Sequence, residues 1–90
     1  MDIKQLLSQA EGMTKTIKDW FHAEYCTLHT DDQNSLHMGL KSPIGFEGKY
    51  FRVTYSKEEL ECFNDLQRLM ENILGTFRET ILDSLANERR

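Results

Sequence analysis

Apolar side chains recur through the first part of the chain at Ile3, Leu6, Leu7, Ala10, Met13, Ile17, Trp20 and Phe21. At about 100° per residue they fall in one stripe, which predicts an amphipathic helix over residues 2–21. Asp2 stands at its start as a capping residue, with Gln5 three positions on. Gly12 lies off the stripe, where it weakens the helix by about 1 kcal/mol without ending it.

From Glu24 the period changes to two. Cys26 and Leu28 alternate with Tyr25, Thr27 and His29; Leu36, Met38 and Leu40 alternate with His37 and Gly39; Phe51, Val53 and Tyr55 alternate with Tyr50, Arg52 and Thr54. Such alternation marks strands with one buried face. Asp31, Asp32, Gln33 and Asn34 form the first turn, and Ser42, Pro43, Gly45 and Gly48 interrupt the chain before the third strand. The apolar residues of the first two strands share a face only if opposed residue numbers sum to an even value, which selects a loop of three or five residues. His29 and His37 then occupy the other face, directly opposed or one diagonal step apart.

At Ser56 the period returns to 3.6. Ser56 and Glu59 have the spacing of a capping box, and Tyr55 and Leu60 that of a hydrophobic staple. Leu60, Phe63, Leu66, Met70, Ile73, Leu74, Phe77, Ile81 and Leu85 continue one stripe, predicting a single helix from Lys57 to Glu88 that runs through Gly75. Glu58, Glu59 and Glu61 at its start, and Arg89 and Arg90 at its end, suit the helix dipole.

With one apolar face per element, the expected architecture is an α+β single domain over residues 1–90. It has two layers in the order α-β-β-β-α, a three-stranded antiparallel meander with the N-terminal and long C-terminal helices on one face. A helix from Lys57 to Glu88 would be about 48 Å long against about 23 Å for a strand, so it must overhang. Its distal apolar residues require the N-terminal helix or a second copy of the chain as cover. Leu69, Phe77, Ile81, Leu82 and Leu85 are therefore the candidate homodimer interface.

Composition narrows the function classes. The 90 residues are 39% apolar and 29% charged with one proline, as in a globular protein, and the net charge is -4. That balance disfavours a duplex-DNA binder, which needs a basic stripe. No apolar run approaches the roughly 20 residues of a membrane span, and no export signal is recognisable. Cys26 and Cys62 lack Cys-x-x-Cys spacing and suit two reduced thiols, so a cytoplasmic setting is expected.

No motif assigns chemistry. His29 and His37 with Asp31 or Asp32 approximate a divalent-metal set, but turn carboxylates are expected to point away from the strand face and no cysteine joins it. Asp31 to Asn34 lack the glycine and the glutamate of an EF-hand loop. Cys26 belongs inside the sheet and the histidines outside, Ser35 is in no nucleophile elbow, and the loop at residues 42–50 has no phosphate-binding glycine pattern. The expectation is a chain that is not an enzyme, with no metal and no cofactor.

What stands out is the outward sheet face, with Tyr25, His29, His37, Tyr50 and Arg52, and the loop residues Ile44 and Phe46. Tyrosine and arginine are the side chains of binding hot spots. These seven residues are the candidate partner-binding set of a small acidic interaction module, an inhibitor or adaptor with a protein partner. In composition alone the chain is similar to phage-encoded inhibitors of host defence enzymes, antitoxins and immunity proteins. Two alternatives follow from the same residues: a homo-oligomeric structural protein built on the C-terminal helix, and a single-stranded nucleic-acid binder using Tyr25, Tyr50 and Arg52. A shortage of lysines around that face disfavours the last.

Overall fold

The computed structural model describes residues 3–88. Its elements are α1 (Ile3–Ser8), α2 (Ala10–Trp20), β1 (Tyr25–Thr30), β2 (Leu36–Lys41), β3 (Tyr50–Tyr55), α3 (Lys57–Glu61) and α4 (Leu66–Glu88). The strands form one antiparallel sheet in the order β1-β2-β3, so the α+β meander is as expected. Asp2, Arg89 and Arg90 lie outside the described residues.

The pairing obeys the parity argument. Cys26 faces Leu40, Leu28 faces Met38 and His29 faces His37 directly. On the other side of β2, Leu36, Met38 and Leu40 pair with Tyr55, Val53 and Phe51. Five residues separate β1 from β2. Within them the Asp31 N–H donates to Ser35 O at 3.2 Å, and Asn34 N–H closes the turn on Asp31 O at 3.0 Å. Asn34 takes φ 60, a left-handed conformation that asparagine tolerates better than most residues.

The core gathers the inward strand residues with Leu6, Met13 and Ile17 from the N-terminal helices, Leu60 from α3, and Leu69, Ile73 and Phe77 from α4. Tyr55 anchors α4 to the sheet: its hydroxyl donates to Asn72 Oδ1 at 2.7 Å and lies 3.1 Å from Thr76 Oγ1. Burial holds that phenol above its ordinary pKa.

Three expectations about the helices need correction. The N-terminal helix is two pieces, because the Gln9 N–H bonds back to Leu6 O with three-residue spacing and tightens the chain at that point. Trp20 keeps the angular phase of Met13, yet it is 66% exposed, because α2 carries its stripe beyond the surface available to cover it. The C-terminal helix is also broken, over residues 62–65 rather than at Gly75. The Ser56 and Glu59 capping box opens α3 as expected. Asp65 then starts a new helix by accepting the Arg68 N–H at 2.8 Å.

The fresh start at Asp65 resets the buried row of α4 to Leu69, Ile73 and Phe77, all fully buried. Leu69 and Phe77 thus serve the chain's own core and have no surface to offer a second copy. Phe21, just beyond α2, packs edge-on against Phe77 with centroids 6.1 Å apart, so the N-terminal segment covers the helix where a partner had been expected. Ile81 and Leu85 are half-buried, and Leu82 is 51% exposed.

Candidate functional site

No helix is placed on the outer side of the sheet by its core contacts: the buried residues of α1, α2, α3 and α4 join the inward strand positions in one cluster. Register then orders the outer face as cross-strand rows. Tyr25, Lys41 and Tyr50 form one, Thr27, Gly39 and Arg52 the next, and His29, His37 and Thr54 the third. None of these nine positions is acidic.

In the first row Lys41 stands between the two tyrosines, a placement the sequence reading overlooked. Its ammonium donates to Gly48 O at 3.0 Å. The Tyr50 phenol leans diagonally across the sheet and occupies the space where a Cβ at Gly39 would sit, with Thr27 Oγ1 2.8 Å from the same point. A side chain at position 39 would have to push the phenol aside, so glycine suits the close approach. One side of Tyr50 rests on the sheet, and 49% of the residue remains exposed.

The third row is a connected polar cluster. The His29 and His37 rings stack with centroids 4.9 Å apart and planes 18° apart. His37 Nε2 lies 2.9 Å from Asp31 Oδ2, and its Nδ1 lies 3.2 Å from Thr54 Oγ1. The expectation that the turn carboxylates point away from the strand face therefore fails for Asp31. Its odd number gives it the outward parity of His29, and the Asp31 to Ser35 bond extends the hairpin far enough to apply it. Asp31 Oδ1 also accepts the Gln33 and Ser35 N–H groups at 2.9 and 3.0 Å. The His37 hydrogen bond, aided by these backbone donors, holds the Asp31 carboxyl below the usual carboxylate range.

This arrangement has the order of an acid, imidazole and hydroxyl relay, and it lies away from the open grooves beside the break between α3 and α4, none of whose lining residues belongs to it. Both His37 nitrogens are engaged, and the stacked planes do not direct the two imidazoles at a common point. Among the described residues no group of three or more His, Cys, Asp or Glu side chains is set to hold a metal ion.

Arg52, in the middle row, makes no ion pair or hydrogen bond among the described residues. In a chain with 15 carboxylates, the outward strand positions nearest to it, Thr27, Gly39, Tyr50 and Thr54, carry none. The His29 ring nitrogens likewise meet no hydrogen-bonding partner among the described residues.

The structure separates the seven candidate residues. Tyr25, His29, His37, Tyr50 and Arg52 share the outer face. Ile44 and Phe46 do not join them. Phe46 turns into the molecule and meets Phe51 edge-on at 5.8 Å, closing the end of the core. Ile44 is 68% exposed beside α2, its N–H bonded to Phe21 O at 3.0 Å.

Cys26 sits on the inner face, where burial pushes its thiol up to about 11. Cys62 is exposed and both cysteines are free. An open groove of about 470 Å³ lies beside the break between α3 and α4, lined by Phe63, Arg68 and Glu71 among others, and nothing in the sequence pattern had marked it. No helix among the described residues is long and apolar enough to cross a membrane. No family model matches the chain, and neither does any curated protein or solved structure compared with it.

Proposed function

We propose that the chain is a non-enzymatic binding module, of adaptor or inhibitor type, and that the outer face of the sheet is where it meets a macromolecular partner. One observation carries the reading: an arginine with no counterion among the described residues shares the outer sheet face with two half-exposed tyrosines and an imidazole pair. Within the described residues its guanidinium gains no ion-pair stabilisation for the fold. It leaves five donors for an external acceptor. Tyrosine adds large contact area at small entropic cost, and the strands hold these side chains at fixed spacing.

The test is photo-crosslinking in cell extract with a benzophenone-bearing phenylalanine analogue in place of Tyr25, and the same analogue in place of Glu11 on α2 as the control. Adducts formed from the Tyr25 position and absent from the Glu11 position are expected. Identical adducts from both, or none from either, would remove the outer face as the contact surface.

A further inference from the structure

We propose that the outer face of the sheet binds single-stranded nucleic acid, with Arg52 and Lys41 on phosphates and Tyr50 and Tyr25 against bases. This rests on the reading of that face as the contact surface and names its partner. Three placements favour it. Lys41 stands in the row between Tyr25 and Tyr50, which supplies the cation that the sequence alone had not placed there. The tip of the Tyr50 phenol leans over Gly39 instead of standing off the sheet, and about half of the residue is exposed to an incoming base. Among the described residues Arg52, one row away on the same face, has no ion-pair partner.

The dimensions agree with a short stretch of single strand. Adjacent strands are about 4.8 Å apart and same-face residues along a strand about 6.8 Å apart. The face between Tyr25, Tyr50 and the histidine row is therefore about 10 Å by 14 Å, enough for two or three unpaired bases and too flat to enter a duplex groove. Stacking is indifferent to sequence because every base has a π-face. At the far end the His29 ring nitrogens are placed to meet base edges.

The net charge of -4 does not oppose this locally. The nine outward positions hold Lys41, Arg52 and no acid, and Asp31 at their edge is already bonded to His37. The helical carboxylates lie behind the sheet, and the loop acids Glu24, Asp32 and Glu47 stand at its ends and not among the outward strand positions; physiological salt screens charges beyond about 8 Å.

Fluorescence anisotropy of the full chain with labelled oligothymidylate and oligouridylate of about twelve nucleotides, starting near 20 mM salt, tests the proposal. Saturable binding is expected. Two phosphate contacts at about 0.7 each give a log-log salt slope of about -1.4, falling to about -0.7 in Arg52→Gln. Tyr50→Leu, which keeps an apolar cover on Gly39 but removes the ring, should weaken binding by about five- to 150-fold, while Tyr50→Phe retains it. Far-UV circular dichroism verifies that each variant folds, and Tyr25→Leu supplies a second ring deletion should Tyr50→Leu not.

Absence of binding at low salt, equal affinity in the ring-deletion variants, or tighter binding to a labelled oligoglutamate peptide would each overturn nucleic acid as the partner. In those cases protease-sensitive, nuclease-resistant adducts from the Tyr25 position would still leave the outer face as a protein-binding surface. Loss of those adducts as well would end both readings.

Discussion

Gly39→Ala places a methyl group in the space that the Tyr50 phenol occupies, and its consequence can be worked from the geometry. A fully buried tyrosine removes about 150–250 Å² from water. Tyr50 is about half-covered, so its contact with the sheet involves on the order of 100 Å², or about 2.5 kcal/mol at 25 cal/mol per Å². The ring is not enclosed and can swing outward, which makes the expected loss about 1–2 kcal/mol rather than the whole contact. Against this, Gly39 is not among the residues with positive φ, so alanine fits its backbone and gains about 0.4–1 kcal/mol by restricting the unfolded chain. The net prediction is a destabilisation of about 0–1.6 kcal/mol, centred near 0.8.

The loss should largely disappear once the ring is removed. In a Tyr50→Ala background the added methyl meets no phenol, only the Thr27 hydroxyl 2.8 Å from its position, which a side-chain rotation relieves, so Gly39→Ala should become neutral or stabilise by up to about 1 kcal/mol. The double-mutant cycle thus predicts a coupling of about 1–2 kcal/mol between residues 39 and 50. Urea denaturation of the four proteins, followed by far-UV circular dichroism, measures it. Equal destabilisation by Gly39→Ala in both backgrounds would refute the contact, and with it the platform on which the nucleic-acid proposal depends. Gly39→Ala alone should also weaken oligonucleotide binding more than its effect on stability accounts for, since it lifts the ring from the sheet.

Further predictions concern the hairpin, the helix break and the thiols. Asp65→Ala should cost about 0.5–2 kcal/mol by leaving the Arg68 N–H without its acceptor, whereas Asp65→Asn should retain most of the stability; equal melting of both variants with the parent would remove Asp65 as the cap. Iodoacetamide at about pH 8 should modify Cys62 well before Cys26, whose thiol is buried and raised to about 11; peptide mass mapping that finds equal rates would mean that the inner face of β1 is open. Asp31 has a folded-state pKa below its unfolded value of about 3.9, so its stabilising contribution is present above that value and is lost as pH falls through the lower, folded one. The stability difference between the parent and Asp31→Asn should therefore shrink as pH falls below about 4; a difference unchanged from about pH 5 to about pH 2 would sink the assignment.

What could be read from the sequence divides according to the range of the interaction involved. Parity is a property of each strand by itself, and it placed Cys26, Met38 and Val53 inside and His29, His37 and Arg52 outside before any packing was known. The capping box at Ser56 was equally legible, since both of its hydrogen bonds span only three residues. The break after α3 was hidden because Leu60, Phe63 and Leu66 keep helical spacing across it. The decisive residue, Asp65, acts through the Arg68 N–H and lacks the acidic or amide partner three positions on that would complete a capping box. Trp20 was misplaced for the opposite reason: periodicity gives the direction of a side chain and not the extent of the surface opposite it.

The candidate site needed both kinds of information. Extending outward parity one step past β1 would have set Asp31 beside His37, but only if the turn was known to tighten at Asn34 and let the ladder continue to Ser35. Lys41 follows from the same parity, since its odd number sets it on the outer face with His37 and Gly39. Tyr50 over Gly39 was not available to it, because the contact runs diagonally between strands and depends on a rotamer that no alternation specifies. That diagonal contact distinguishes a face that presents a ring to a partner from one that merely contains tyrosine. A residue list assembled by parity can therefore identify the binding face, whereas the chemistry of its partner is set by how Tyr50, Lys41 and Arg52 are oriented upon it.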